Sequence, residues 1–176
     1  MKILLHTCCD PCASACIPAL RDLGHEVSLF YANSNIDTKE EFDLRFENVN
    51  RLAKEDGVAV FSSPYDHEEW LREVAMGYEN EPEKGGRCAR CFRFNLAKTA
   101  KYASEHGFDA FTSSLTVSPH KVSAMIFSAG KDVSEACGFL EIDFKKKNGY
   151  LLSLKRAKEL GLYRQSYCGC EFAKFK

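Results

Sequence analysis

The chain has 176 residues, of which 45% are hydrophobic and 28% charged, and its formal net charge is −1. This balance predicts one globular domain and excludes a disordered or fibrous chain. It also excludes a membrane protein, because no apolar run approaches the roughly 18 residues of a spanning helix.

The predicted elements alternate. Residues 2–7 form a short buried strand. Asp10 as N-cap and Pro11 in the first turn open a helix that Gly24 stops and Pro18 kinks. Residues 25–32 form a second strand. Thr38-x-x-Glu41 is a capping box for a helix to about Asp56, with Phe42, Phe46, Val49 and Ala53 on one face. Residues 58–62 form a third strand, and Asp66-x-x-Glu69 opens a short helix through Trp70, Leu71 and Val74. After a loop at 78–87 a helix runs from about Ala89 to His106. A fourth strand covers 109–115, Ser118-Pro119 caps a helix to about Cys137, and a fifth strand covers 139–144. A last helix spans roughly 153–160. This order predicts an α/β fold, a parallel sheet with helices on both faces. In such sheets ligands bind beyond the carboxyl ends of the strands, so the segment after strand one, Thr7-Cys8-Cys9-Asp10-Pro11-Cys12, is the expected site.

The near-zero charge hides an asymmetry. Residues 1–83 carry seven Lys/Arg against 17 Asp/Glu, and residues 84–176 carry 17 against eight. The basic half includes Arg87, Arg90, Arg93 and the run Lys145-Lys146-Lys147. Solvated helix faces explain any one cluster. Together they suggest an anionic partner, nucleic acid being the commonest.

Nine cysteines are the unusual count. A chain of this length needs no disulfide staples, and an odd number cannot all pair within it. The first apolar run, Ile3 to Leu5, is too short for a signal peptide's core, so a cytoplasmic protein is expected. There thiols stay reduced, and clustered cysteines read as metal ligands or redox catalysts. Eight of the nine fall in three windows: Cys8, Cys9, Cys12 and Cys16; Cys88 and Cys91; Cys168 and Cys170. A CxxC pair at a helix start points two sulfurs at one place, and nearby Arg87, Arg90 and Arg93 favour thiolates. Neighbouring Cys8 and Cys9 suit the separated metal corners of an iron–sulfur cluster better than a single tetrahedral zinc. Asp10 lies in the same run, either as a metal ligand or as a helix cap. Cys168-Gly169-Cys170 is suited to a small strained disulfide, the labile or catalytic kind, or to a second metal. Cys16 and Cys137 read as buried filler. His6 is either a neighbour of the cysteines or a packed core residue, and His120 has a rim position. The loop after strand one contains no glycine, so it cannot cradle a phosphate in the P-loop manner.

Four blocks, in order, resemble the cobalamin-independent epoxyqueuosine reductases (QueH type). They are His6-Thr-Cys-Cys-Asp-Pro-Cys12; Glu81-Pro-Glu-Lys-Gly-Gly-Arg-Cys-Ala-Arg-Cys91; Phe111-Thr-Ser-Ser-Leu-Thr-Val-Ser-Pro-His-Lys121; and Leu162-Tyr-Arg-Gln-Ser-Tyr-Cys-Gly-Cys170. The resemblance spans nearly the whole chain. It implies a HUP-like (adenine nucleotide hydrolase-like) fold with the ATP loop replaced by cysteines. It implies reduction of the epoxide of epoxyqueuosine in a tRNA anticodon loop to the alkene. The family's [4Fe–4S] ligands map onto Cys8, Cys9, Cys88 and Cys91, with Asp10 and Cys12 beside them, and its redox-active pair onto Cys168 and Cys170. The family usually has a small residue where Asp10 stands.

On this reading an external electron donor and no cobalamin are expected, and Cys168 and Cys170 serve either as an electron reservoir or as ligands of a second iron. Asp10, Tyr163 and Tyr167 are candidate proton donors. Arg87, Arg90 and Arg93 would meet tRNA phosphates. Two other functions fit parts of the pattern: an iron–sulfur tRNA thiolase-like enzyme, which the glycine-free loop disfavours, and a zinc-bearing tRNA-binding module without catalysis.

Overall fold

A computed structural model describes residues 1–173, the side chain of Lys147 excepted. Five strands form one parallel sheet in the order β3-β2-β1-β4-β5. They are β1 (Lys2–His6), β2 (Glu26–Tyr31), β3 (Ala59–Ser62), β4 (Ala110–Ser113) and β5 (Gly138–Phe139). The helices are α1 (Asp10–Asp22), α2 (Lys39–Asp56), α3 (His67–Trp70), α4 (Gly86–Glu105), α5 (Ser123–Asp132) and α6 (Gly149–Leu160). Among the described residues no helix is long and apolar enough to cross a membrane.

The central strand shows why its sequence is a continuous apolar run. Successive side chains of a strand point to opposite faces, and here both faces are covered. Ile3 and Leu5 pack with Ala13, Ile17, Leu52 and Ala157 from α1, α2 and α6. Leu4 packs on the other face with Phe92, Leu96 and Ile126 from α4 and α5. Cys16 belongs to the first core and Cys137 to the second, as expected of filler. The chain leaves β1 for β2 on one side and later returns to β4 on the other, which makes the β1/β4 crevice the switch point of the sheet.

The carboxyl-end loops depart from the sequence expectation. The fourth strand stops at Ser113, whose hydroxyl accepts from Leu115 N–H and starts a 3-10 turn, Ser114–Val117. The helix expected from Ser118-Pro119 begins at Ser123, because residues 118–121 close a turn of their own (Lys121 N to Ser118 O, 3.3 Å). The fifth strand has two residues instead of six. Beyond it the Thr112 and Thr116 hydroxyls donate to Leu140 O and Ile142 O, replacing ladder bonds. The last helix starts early, at Gly149, where a Cβ would lie 1.8 Å from Phe144 O. Thr38 is the N-cap of α2, but its side chain makes no cap bond, and Glu41 turns away to Arg45. Past α6, residues 162–173 cross back toward α2 and the loop after β2 as a strap.

Candidate metal centre

The site grows from the loop after β1. Cys9 is the extended N-cap of α1 (φ −163°, ψ 159°), so the chain turns sharply from strand to helix there. That turn brings the sulfurs of Cys8, Cys9 and Cys12 within 4.8 Å of one another, with Cys8 and Cys9 3.7 Å apart. Ser114, across the switch point, accepts from the Cys8 amide at 3.2 Å and donates to its sulfur at 3.4 Å. Hydrogen bonds from Cys12 and Cys9 pull the Cys8 thiol well below its ordinary range. Cys12 is held well above it by its bonds to Cys8 and Cys9 and by burial. Cys9 also rises: the Cys12 bond lowers it, but its bond to Cys8 and burial prevail. The three thiols share one set of hydrogen bonds, and Cys8 is the one that these draw toward the thiolate.

Cys88 and Cys91 lie in the first turns of α4. That helix begins at Gly86, whose amide donates to the Glu81 carboxylate at 2.8 Å in place of a side-chain cap. Cys88 Sγ accepts from the Lys84 amide at 3.3 Å and Cys91 Sγ from the Asn95 amide group at 3.7 Å. Cys88 packs against the same apolar cluster as Cys8. Cys91 packs with Cys170 against Trp70, Val74 and Ala75. Burial first, then the charge of Cys168, pushes the Cys91 thiol up.

The strap carries the third group. Gly169 has φ +140°, and a Cβ on it would meet Ile36 at 3.0 Å and Asn35 at 3.1 Å. Its carbonyl accepts from the Asp37 amide at 2.9 Å. Cys168 is exposed and Cys170 half-buried, and no cysteine is disulfide-bonded. Burial, then the charge of Cys168, pushes the Cys170 thiol up to about 11.

Three residues that sequence reasoning missed hold these groups together. Lys121 donates to Cys168 Sγ at 3.0 Å. Burial works against its charge, but Cys168, then Cys8 and Cys91, raise its pKa. Arg45 is 1% exposed and binds Glu41 Oε1 at 2.7 Å, Cys168 O at 3.0 Å and Tyr167 O at 3.3 Å. Ser114 is the third. Lys121 and Ser114 both lie inside the block Phe111–Lys121, which is where a signal existed.

The remaining predicted residues divide. Asp10 is fully buried, and neither carboxylate oxygen has a hydrogen-bond partner in another residue. Burial raises its pKa to about 7, with Cys8 adding and Arg45 and Arg51 opposing. It does not share the tight sulfur group. Tyr163 donates to the Glu41 carboxylate at 3.1 and 3.2 Å, and Tyr167 donates to Asp37 O at 2.7 Å. His6 is a packed residue between Ser113 Oγ and Ala32 O, and burial lowers its pKa. Arg87 corrects the phosphate-binding expectation. It is 2% exposed, gives Nη1 to the carbonyls of Tyr78, Glu79 and Glu81, and stacks on Phe172 at 4.6 Å, so no phosphate reaches it. Arg90 is exposed but turned onto Val74 O, Glu73 O and the Tyr78 ring. Arg93 is exposed.

A close group of three sulfurs, one already inclined to thiolate, is a soft donor set that fits iron or zinc. In class the molecule is a parallel α/β domain with a cysteine group at the switch point of its sheet. The crystal structure of a predicted subunit of tRNA methyltransferase from Methanocaldococcus jannaschii shares that fold, with a TM-score of 0.58 at 16% identity over 88% of this chain and 74% of that one. The family model described as epoxyqueuosine reductase QueH matches residues 3–176. The Streptococcus pyogenes epoxyqueuosine reductase QueH is 40% identical over 98% of this chain and 70% of its own length. The Thermotoga maritima one is 35% identical over 97% and 89%. The chain belongs to the QueH epoxyqueuosine reductase family.

Proposed function

We propose that this chain is an epoxyqueuosine reductase, a cytoplasmic oxidoreductase of queuosine biosynthesis. It removes the epoxide oxygen from the modified base in a tRNA anticodon loop and leaves the alkene. The balance is two electrons and two protons taken up, one C=C bond formed and water released. The observation that carries the reading is the gathering of Cys8, Cys9 and Cys12 at the switch point, in a chain matched end to end by the family.

Cys8, Cys9, Cys88 and Cys91 would hold a [4Fe–4S] cluster, with Cys12 and Asp10 alongside. When bound it supplies single electrons at a potential set by its surroundings. Cys168 and Cys170 would store two electrons as a dithiol or hold a second iron. An external donor replenishes them, and no cobalamin is needed. Of the three candidate proton donors, the two tyrosine hydroxyls already donate elsewhere, which leaves the Asp10 carboxyl. Lys121 places a positive charge beside Cys168 and would stabilise negative charge on an epoxide oxygen brought there. Arg93 offers a phosphate contact on the exposed side of α4.

Anaerobic purification tests the reading. Brown protein with about four irons per chain, and loss of one oxygen mass from epoxyqueuosine tRNA under reduction, is the expected result. Colourless zinc protein that binds tRNA without changing it would replace the reductase by a binding module.

A further inference from the structure

Among the described residues two arginines are sealed inside the molecule, Arg87 and Arg45, and none of the four sequence blocks contains Arg45. A buried guanidinium is costly unless every face of it is used. Here Nε meets Glu41, while Nη1 and Nη2 meet the carbonyls of Cys168 and Tyr167, 123 and 122 positions away. The guanidinium also lies 5.2 Å from the Tyr167 ring centroid. The Glu41 carboxylate also accepts from the Tyr163 hydroxyl. The strap is thus held at Tyr163, Tyr167, Cys168 and Gly169 by α2 and the loop before it.

The helix that carries Arg45 also packs over the first cysteine group: Phe42, Val49 and Leu52 of α2 share a core cluster with Ala13 and Cys16 of α1, and Cys12 packs against it. Arg45 therefore ties the strap, by hydrogen bonds, to the helix that lies against the Cys8–Cys12 turn. The planar fork is what this needs: three donors in fixed directions reach a carboxylate and two successive carbonyls, which a lysine ammonium cannot do from one point.

The geometry points to Arg45 as the positioning residue that registers the Cys168–Cys170 segment against the Cys8–Cys12 group. This role rests on the reductase reading above, with Glu41 and Tyr163 fixing the direction of the fork. It assigns Arg45 no contact with the substrate.

Two variants test it, Arg45→Lys and the double variant Glu41→Gln with Arg45→Met, the second leaving no unpaired carboxylate behind. The first readout needs no activity. The Asp37 amide, which donates to Gly169 O, should exchange with solvent about tenfold faster or more, while β1 amides keep their protection. The second readout is kinetic. The kcat should fall about 10²-fold with KM for tRNA and the visible absorbance unchanged, because a small misplacement of reacting groups costs about that much. A protected Asp37 amide in both variants, or a released amide with full kcat, would overturn the assignment. A released amide in a protein whose wild type reduces no epoxide would leave the clamp standing and remove only its catalytic meaning, so the two failures are distinct.

Discussion

Lys121 Nζ lies 3.0 Å from Cys168 Sγ, and the turn that places it there is the one that delays α5. The same ammonium feels Cys8 and Cys91 and sits 5.6 Å from the Phe92 ring centroid. Replacing it with methionine keeps the apolar stem and removes the charge. Single-turnover reduction should slow about 10²-fold, with iron content retained. Unchanged turnover in Lys121→Met would show that the contact is incidental.

Asp10 gives a pH prediction in the metal-free protein. Its carboxyl is raised from 3.8 to about 7, first by burial. The folded state therefore holds a proton that the unfolded chain releases, and stability falls as pH rises from about 4 to about 7, then levels. Asp10→Asn should abolish that slope and gain up to roughly 4 kcal/mol above pH 7. Urea titrations at several pH values measure it, and parallel curves for the two proteins would contradict the assignment.

Ser114 touches Cys8 at both its amide and its sulfur. Ser114→Ala should destabilise the metal-free protein by about 1–2 kcal/mol. It should also slow alkylation of Cys8 at fixed pH, because one donor to the thiolate is gone. Faster alkylation would mean that Ser114 shields the sulfur rather than stabilising its charge.

Arg87 and Arg93 look alike in sequence and differ in burial. Arg93→Ala should lower the slope of log affinity for tRNA against log salt by about one. Arg87→Ala should leave that slope alone and cost about 2–4 kcal/mol of stability, since three carbonyls lose their donor. Equal salt slopes for Arg93→Ala and wild type would place the phosphates elsewhere.

The parallel sheet, its order of elements and the loop after β1 were legible because apolar runs, caps and breakers are local signals. The cysteine windows were legible for the same reason. What joins them was not. Arg45 meets Cys168 across 123 positions and Lys121 meets it across 47, and nothing in either neighbourhood announces the pairing. Glu41 fitted a capping box and was taken by Arg45 instead, a tertiary partner overriding a local one. Arg87 sat among basic neighbours, and only the fold of residues 78–81 shows that it turns inward. The fifth strand shrank because Thr112 and Thr116 side chains do the pairing that backbone was expected to do.

The distance in sequence between Arg45 and Cys168 also orders events in time. Closing so long a loop is slow and entropically costly compared with pairing β1 and β2, whose register needs only a short crossover. The strap therefore joins after the β1–β2 pair that shapes the loop of the site. Until it docks, the Cys8–Cys12 turn is already shaped by β1 and α1 yet lacks its cover. That interval is when the thiols are open both to a metal carrier and to oxidants.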